Sequence, residues 1–371
     1  MRFPEFEGEW KVSTIGDCFE LYSGNTPSRL DKENFIGDVN WITSGELKEH
    51  YIGDTKEHIS EDVAKENNLK LVPVGTFVIA IYGLEAEGIR GTGSITTKKS
   101  TISQACMAFT PKGEITNEFL YSWYKKHGNV IGTKYAQGTK QQNLSYDIIE
   151  KFKIHFPTIQ EQDKLNRFIS LLDERISTQN RAIEDLKQLR LALYQQVFTS
   201  LQGNSVTLKS VADVIKGNQI NGDELSENGK YYVMNGGVLP SGYYNEFNTP
   251  ANTISISEGG NSCGYVQYNE EPFWSGGHCY TLQLSKTTNV RYLFHYLKYK
   301  EQDIMKLRIG SGLPNIQKKD LEHFMVVIPN NNKQQEFASF FDFIQKKEDT
   351  EKALLNQWQI QKRYLLQKMF I

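Results

Sequence analysis

The chain has 371 residues, 39% of them hydrophobic and 23% charged, which suits a globular protein with room for two domains and more than one core. Its formal net charge of −2 lacks the basic excess of a free-standing nucleic-acid binder, so any contact with phosphates is expected on one facing surface and shared with a basic partner. Apolar runs such as Phe77–Tyr82 and Phe324–Ile328 are too short to span a bilayer, and Cys18, Cys106, Cys263 and Cys279 lack the spacing of a disulfide framework or zinc site.

Residues 1–10 show no basic segment followed by an apolar run, so the expected location is cytoplasmic, with no membrane contact. The next segment, 10–27 (WKVSTIGDCFELYSGNTP), opens a region of short strand-like runs: 75–83, 102–111 and 152–157, each bounded by Gly, Pro or Lys. A helix is expected over 117–126. Pro157 then ends the last strand, and Thr158-Ile-Gln-Glu161 reads as a capping box that starts a long helix over 158–200. Strand-like runs return at 252–260, 278–285 and 324–329, with a helix over 290–300. After Pro329, Asn330–Asn332 offer a cap for a second long helix, 330–371.

These elements are two copies of one unit. Asn315 lies 172 residues after Asn143, and at that offset 143–157 (NLSYDIIEKFKIHFP) lies over 315–329 (NIQKKDLEHFMVVIP) without a gap. LYQQVF (193–198) lies over LLQKMF (365–370), and 10–27 resembles 206–221 (VTLKSVADVIKGNQIN). The domains are therefore 1–157 and 201–329, each followed by a long helix.

Both helices carry heptads. Leu165, Ile169, Leu172, Ile176, Gln179, Ile183, Leu186, Arg190, Leu193 and Val197 alternate in steps of four and three. The same register gives Phe337, Phe341, Ile344, Glu348, Glu351, Leu355, Trp358, Lys362, Leu365 and Met369. No Pro or Gly interrupts either helix, so each spans about 60 Å at ~1.5 Å per residue. A homo-oligomeric coiled coil would use such a stripe; antiparallel pairing within the chain is the favoured reading, with Arg190, Glu348 and Glu351 limiting the register. That pairing places the domains at opposite ends of a rod, about a pseudo-twofold axis. The fold class is mixed α/β (α+β), two repeats separated by an antiparallel two-helix coiled coil.

Catalytic signatures are missing: the chain shows neither a GxxxxGK[ST] phosphate loop, nor Asn-Pro-Pro-Tyr or Asp-Pro-Pro-Tyr, nor HExxH. Gly88, Gly91 and Gly93 imitate a nucleotide-binding turn but precede strand-like residues rather than a helix. Asp38, Glu46 and Lys48 resemble the Asp…Glu-x-Lys set of magnesium-dependent nucleases; a solvated turn is the simpler reading, since the second repeat has Asn235-Gly-Gly in that region. No catalytic residue, metal or cofactor is expected in this chain.

Binding residues are better placed. Each repeat has a polar loop before the strand that leads to its long helix, 135–145 and 308–317, offering Lys134, Gln137, Thr139, Lys140, Gln141, Gln142 and Asn143 in the first, and Arg308, Ser311, Asn315 and Lys318 in the second. Such side chains hydrogen-bond base edges or phosphates. A second matched pair of aromatic-edged loops, 41–48 and 231–244, offers Thr43, Ser44, Lys48, Asn235, Tyr243 and Tyr244; Lys98, Lys99, Gln104, Tyr268, Trp274 and His278 extend the set. A coiled-coil scaffold without DNA affinity is the reading in which all of these are ordinary loop residues.

The paired GTKQQNL and GSGLPNI loops, the junctions KIHFPTIQEQDKL and MVVIPNNNKQQEF, and the helix ends QQVF and QKMF, in this duplicated order, resemble the specificity subunit of type I restriction–modification enzymes over the whole chain. The resemblance implies two target-recognition domains, each reading half of a bipartite site in double-stranded DNA, with the helices as spacer. It also implies two methyltransferase subunits carrying S-adenosylmethionine, and motor-nuclease subunits that use ATP and Mg; this chain would add specificity and assembly, not catalysis.

Overall fold

The computed structural model describes all residues except Thr139, Ser311, Leu313 and Ile371. It divides into two compact units, Met1–Thr178 with Leu355–Ile371, and Gln179–Leu354, so each long helix contributes to both.

The first unit is built on a five-stranded sheet, in the order Phe19–Ser23, Cys106–Pro111, Phe77–Ala80, Gly93–Thr96 and Tyr51–Ile52. The central strand Phe77–Ala80 is wholly buried, which explains its unbroken apolar run. Beside this sheet stands a three-stranded one, His58–Ile59, Val39–Ile42 and Ser100–Ile102, the last pair parallel. The expected strand over 102–111 is thus divided: Ser103–Ala105 turns out of one sheet, closed by the Cys106 N–H to the Ser103 carbonyl at 3.0 Å, before the chain enters the other. A ribbon of Lys11–Thr14 with Lys153–Phe156 closes the domain.

The helix expected to stop at Lys126 runs over Asn117–Tyr135. It includes Gly128, where a side chain would meet the Tyr124 ring at 2.7 Å, so packing accounts for the glycine there. Its Tyr121 and Tyr124 rings lie 5.9 and 5.8 Å from that of Phe77.

The second unit repeats the plan. A four-stranded antiparallel sheet (Ala212–Lys216, Cys279–Leu284, Thr253–Ser257, Val266–Asn269) stands beside Gly242–Tyr244, Tyr231–Met234 and Trp274–Ser275, whose last pair is again parallel. The ribbon is Asn204–Thr207 with Met325–Ile328. Ser23 pairs with Met107 as Lys216 does with Tyr280, so the two domains share a register.

The long helices are Ile159–Thr199 and Asn331–Met369. Leu165, Ile169, Leu172, Ile183, Phe341, Ile344, Leu365 and Met369 are buried, and Ile176, Leu186, Leu193, Phe337, Leu355 and Trp358 are half-buried, as the heptads require. In the first unit Asp173 pairs with Lys362, and the Arg175 guanidinium lies 4.9 Å from the Trp358 ring. In the second, Gln179 bonds Glu351, Arg190 reaches Gln345 at 2.6 Å and Glu348 at 3.1 Å, and the Tyr194 and Phe341 rings are 4.6 Å apart. Numbers rise on one helix as they fall on the other. The pairing is antiparallel and within one chain, and the polar stripe residues meet one another.

Helix starts are pinned by a device absent from the sequence-based expectations. Gln162 and Gln334 are equivalent and fully buried. Gln162 accepts from the Thr116 N–H at 2.9 Å and donates to the carbonyls of Glu114 and Pro157 at 2.7 and 3.0 Å. Gln334 accepts from the Asn289 N–H at 2.8 Å and donates to the Pro329 carbonyl at 3.0 Å. The capping box is only half formed: Thr158 accepts from the Glu161 N–H at 3.5 Å, while the Glu161 carboxylate turns to Arg2, at 2.7 and 2.6 Å. A full guanidinium charge outcompetes a single backbone N–H for that carboxylate. Asn330 caps the second helix through the Lys333 N–H at 3.0 Å.

Among the described residues, no helix is long and apolar enough to cross a membrane.

Candidate nucleic-acid interface

In each unit, four loops meet where strands end. The first follows the central strand, and the polar loop before the final ribbon strand docks on it. Asn143 pairs with both Tyr82 and Gln137, and the Leu144 N–H bonds the Ile81 carbonyl at 2.8 Å. Asn315 pairs with both Gly259 and Ile309, and the Ile316 N–H bonds the Glu258 carbonyl at 2.8 Å. The asparagines that align in sequence thus occupy one structural position.

The other two loops join through backbone bonds. The Ile81 N–H donates to Ala105 and the Ser103 N–H to Ile42, each at 2.9 Å; the Glu258 N–H donates to His278 at 2.9 Å and the Gly276 N–H to Met234 at 2.8 Å. These links place Thr43, Ser44 and Gln104 beside Asn143, and Asn235 and His278 beside Asn315. They also make Thr43 the counterpart of Asn235. Asn235 is held by the His278 N–H at 3.0 Å. A fifth loop, Ser23–Thr26 in one unit and Lys216–Gln219 in the other, adjoins these four. A side chain on Gly24 would fall 1.7 Å from the Ile102 carbonyl oxygen, and one on Gly217 2.2 Å from that of Gly276, so glycine alone lets these loops approach the neighbouring strand. The matched segments SGN and KGN carry the signal for them, although only as part of the repeat.

The other expected binding residues distribute as follows. Lys134, on the last helical turn, and the exposed Gln137, Lys140 and Gln141 border the first cluster; Gln142 is half-buried there. Lys48 is exposed after the short turn that follows Thr43. Arg308 and Lys318 are exposed at either end of the second polar loop. Trp274 donates to the Asn218 carbonyl at 2.9 Å, and its ring is 5.1 Å from that of Tyr244. Tyr243 is exposed on the same strand. Lys98 and Lys99 are not brought to the cluster: they precede Ser100–Ile102 at the end away from Gln104, where Lys98 reaches Asp54 at 3.4 Å. Tyr268 is likewise distant, opposite Ile254 near the start of its strand, under the Arg291 guanidinium at 4.0 Å. Thr139 and Ser311 lie outside the described residues.

The second cluster contains a buried carboxylate. Glu258 meets Lys216 at 2.5 Å, the Tyr280 hydroxyl at 3.0 Å and His278 at 3.5 Å, so its charge is neutralised from the loop side. Burial, and then the hydrogen bond to Glu258, push the Tyr280 hydroxyl well above its usual range, so it stays a donor.

The nuclease-like triplet does not assemble. Glu46 spends both carboxylate oxygens on structure, accepting from the Thr43 N–H and hydroxyl at 2.8 and 2.9 Å and from the Lys56 N–H at 2.7 Å. Asp38 is exposed ahead of Val39–Ile42, while Glu46 follows that strand. Among the described residues, no group of three or more His, Cys, Asp or Glu is placed to hold a metal.

A duplicated loop cluster on a duplicated mixed α/β domain, each followed by a long helix, defines a two-repeat specificity protein. The model of the type I restriction modification DNA specificity domain matches residues 7–188 and 203–358, and the chain belongs to that family. The type I restriction enzyme MjaIX specificity subunit of Methanocaldococcus jannaschii is 27% identical over 198 residues, covering 52% of this chain and 45% of that protein. The MjaVIII specificity subunit of the same organism is 22% identical, with 91% of this chain and 86% of that protein covered. The putative type I specificity subunit S.MpnORF638P of Mycoplasma pneumoniae is 37% identical over 118 residues, covering 31% of each. The chain thus spans a third to a half of the first matched relatives and most of MjaVIII. The fold is also that of the S subunit of a type I restriction–modification system from M. genitalium (TM-score 0.66, 22% identity, 100% of this chain and 99% of that one). A chain from work on complex assembly and conformational transition of the type I R-M system is similar too (TM-score 0.61, 15% identity, 98% of each).

Proposed function

We propose that this chain is the DNA-reading subunit of a type I restriction–modification system, with recognition domains 1–157 and 201–329 each reading one half of a bipartite target in the major groove. The observation that carries this reading is the duplicated cluster: Thr43, Gln104 and Asn143 in one unit, and Asn235, His278 and Asn315 in the other, on equivalent loops. Amides, hydroxyls and imidazole on loops braced by backbone bonds suit base edges, while flanking Lys134, Lys140, Arg308 and Lys318 suit phosphates. Two methyltransferase subunits holding S-adenosylmethionine, and motor-nuclease subunits using ATP and Mg, supply the chemistry, and the complex works in the cytoplasm. The chain itself is non-catalytic. Its formal charge of −2 fits a subunit that shares phosphate contacts with such partners.

The test is to co-express the chain with a type I methyltransferase subunit that it binds and map methylated sites across the host genome. A bipartite motif with an unread spacer is expected. Replacing Lys140, Gln141 and Gln142 together should relax one half only; relaxation of both halves, or methylation without any motif, overturns the reading.

A further inference from the structure

The glycine cluster Gly88-Ile-Arg-Gly-Thr-Gly93 builds a seat for one side chain. Gly88 and Gly91 take φ of +74° and +71°, which a side chain would resist. At Gly91 a Cβ would also come 2.7 Å from the Asn129 nitrogen, so the loop lies directly on the long domain helix. Gly132 of that helix leaves a notch for the Arg90 stem, since a Cβ there would meet Arg90 Cγ at 2.6 Å. The Arg90 guanidinium then donates to Gln142 Oε1 at 2.6 Å. Gln142 is fixed on its other sides too. Its N–H donates to Glu85 Oε2 at 2.7 Å, and its carbonyl accepts from the Leu84 N–H at 3.0 Å.

Arginine has donors only, so the atom facing it must be the amide oxygen; the Arg90 contact removes the usual ambiguity between the two ends of a glutamine. Arg90 Nε is buried without a partner, so among the described residues Gln142 is the acceptor that this guanidinium holds. Turning the amide over would set N–H against N–H and leave a part-buried donor without its acceptor. The amide nitrogen is therefore the end turned away from Arg90.

We infer that Arg90 is a positioning residue that locks Gln142 as a hydrogen-bond donor, so that the base read by Gln142 carries an acceptor in the major groove and is not cytosine. Guanine offers O6 and N7, thymine O4 and adenine N7, whereas cytosine offers only its N4 donor. The matching segment of the second unit, Glu258-Gly-Gly-Asn-Ser-Cys-Gly264 after its central strand, contains no arginine. The polarity lock belongs to one half-site only.

This inference rests on the DNA-reading function proposed above, and one assay separates the two. The chain is co-expressed with a type I methyltransferase subunit that it binds, and the methylated motif is mapped for the wild type, Gln142→Glu and Arg90→Met. In Gln142→Glu the outward group becomes an acceptor, so one position of one half-site should lose its acceptor base by roughly tenfold to a hundredfold in occupancy and gain cytosine. In Arg90→Met the amide is free to turn, and the same position should admit cytosine beside the original base. The other half-site, unchanged, reports that each variant is folded and assembled. A wild type without a bipartite motif sinks the proposed function. A wild-type motif that both variants leave unaltered sinks the inference alone. A variant that methylates nothing is replaced by Gln142→Met, which should accept all four bases at that position; continued discrimination there also overturns the inference.

Discussion

Replacing the buried glutamines at the helix starts tests how the long helices are joined to their domains. Gln334→Ala leaves the Asn289 N–H and the Pro329 carbonyl without the bonds they now make at 2.8 and 3.0 Å, in a site that is 1% exposed. At about 1–3 kcal/mol for each stranded buried group, the loss is about 2–6 kcal/mol. Gln162→Ala removes three such bonds, to Thr116, Glu114 and Pro157, and should cost about 3–9 kcal/mol. For units of this size each kcal/mol lowers Tm by about 2–4 °C, so falls of at least about 4 °C for Gln334→Ala and about 6 °C for Gln162→Ala are expected in differential scanning calorimetry of the whole chain. Gln162→Glu has the same shape and keeps the acceptor, but points a carboxylate oxygen at two carbonyls and should be at least as damaging. The exposed Gln188→Ala is the control. If Gln162→Ala and Gln334→Ala fall within ~0.5 kcal/mol of that control, these side chains do not pin the helices and the reasoning fails.

Arg190→Met leaves buried Glu348 with Lys352, at 2.6 Å, as its cationic partner among the described ion pairs; it should cost about 3 kcal/mol in urea denaturation, the low end for a broken buried pair. Arg190→Met with Glu348→Leu should recover most of that, and a double variant no better than the single one refutes the account. His50 places its two nitrogens 2.9 Å from Glu118 and 3.7 Å from Asp173, between the rings of Tyr51 and Tyr121, so only the imidazolium can donate to both carboxylates. Burial opposes that charge, yet the nearby Asp173 carboxylate and the hydrogen bond to Glu118 outweigh it and raise the His50 pKa. A raised folded-state value gives stability that is fully present below the unfolded value near 6.5 and lost as pH rises through the folded one. His50→Gln should therefore lower Tm more at pH 6 than at pH 8.5, and the reverse order refutes it.

The repeat, the two long helices and their stripe were legible in the sequence, because a helix spaces its apolar residues by a local rule that neighbours in the chain must obey. The alignment of Asn143 with Asn315 was legible for a related reason: both end in the same backbone bridges, and the residues flanking such bridges carry the ribbon strands and helix caps that repeat around them. Gly128 shows the limit. The sequence pattern carries that helix only to Lys126, whereas the structure continues it to Tyr135 through Gly128, which leaves room for the Tyr124 ring.

Glu46 shows the same limit in the site. Three letters suggested magnesium chemistry, whereas the fold gives both of its oxygens to Thr43 and Lys56. Lys98 and Gln104 are close in number, yet a short strand holds them at its opposite ends. What the sequence determined was everything set by periodicity and duplication: two mixed α/β domains, two long helices and the polar loops between them. The antiparallel pairing of the helices, with Arg190 meeting Glu348, was also the reading the heptads favoured. Which loop residues share one surface, and which end of the Gln142 amide faces Arg90, were decided by tertiary structure, because those facts depend on groups distant in the chain whose meeting no local pattern encodes.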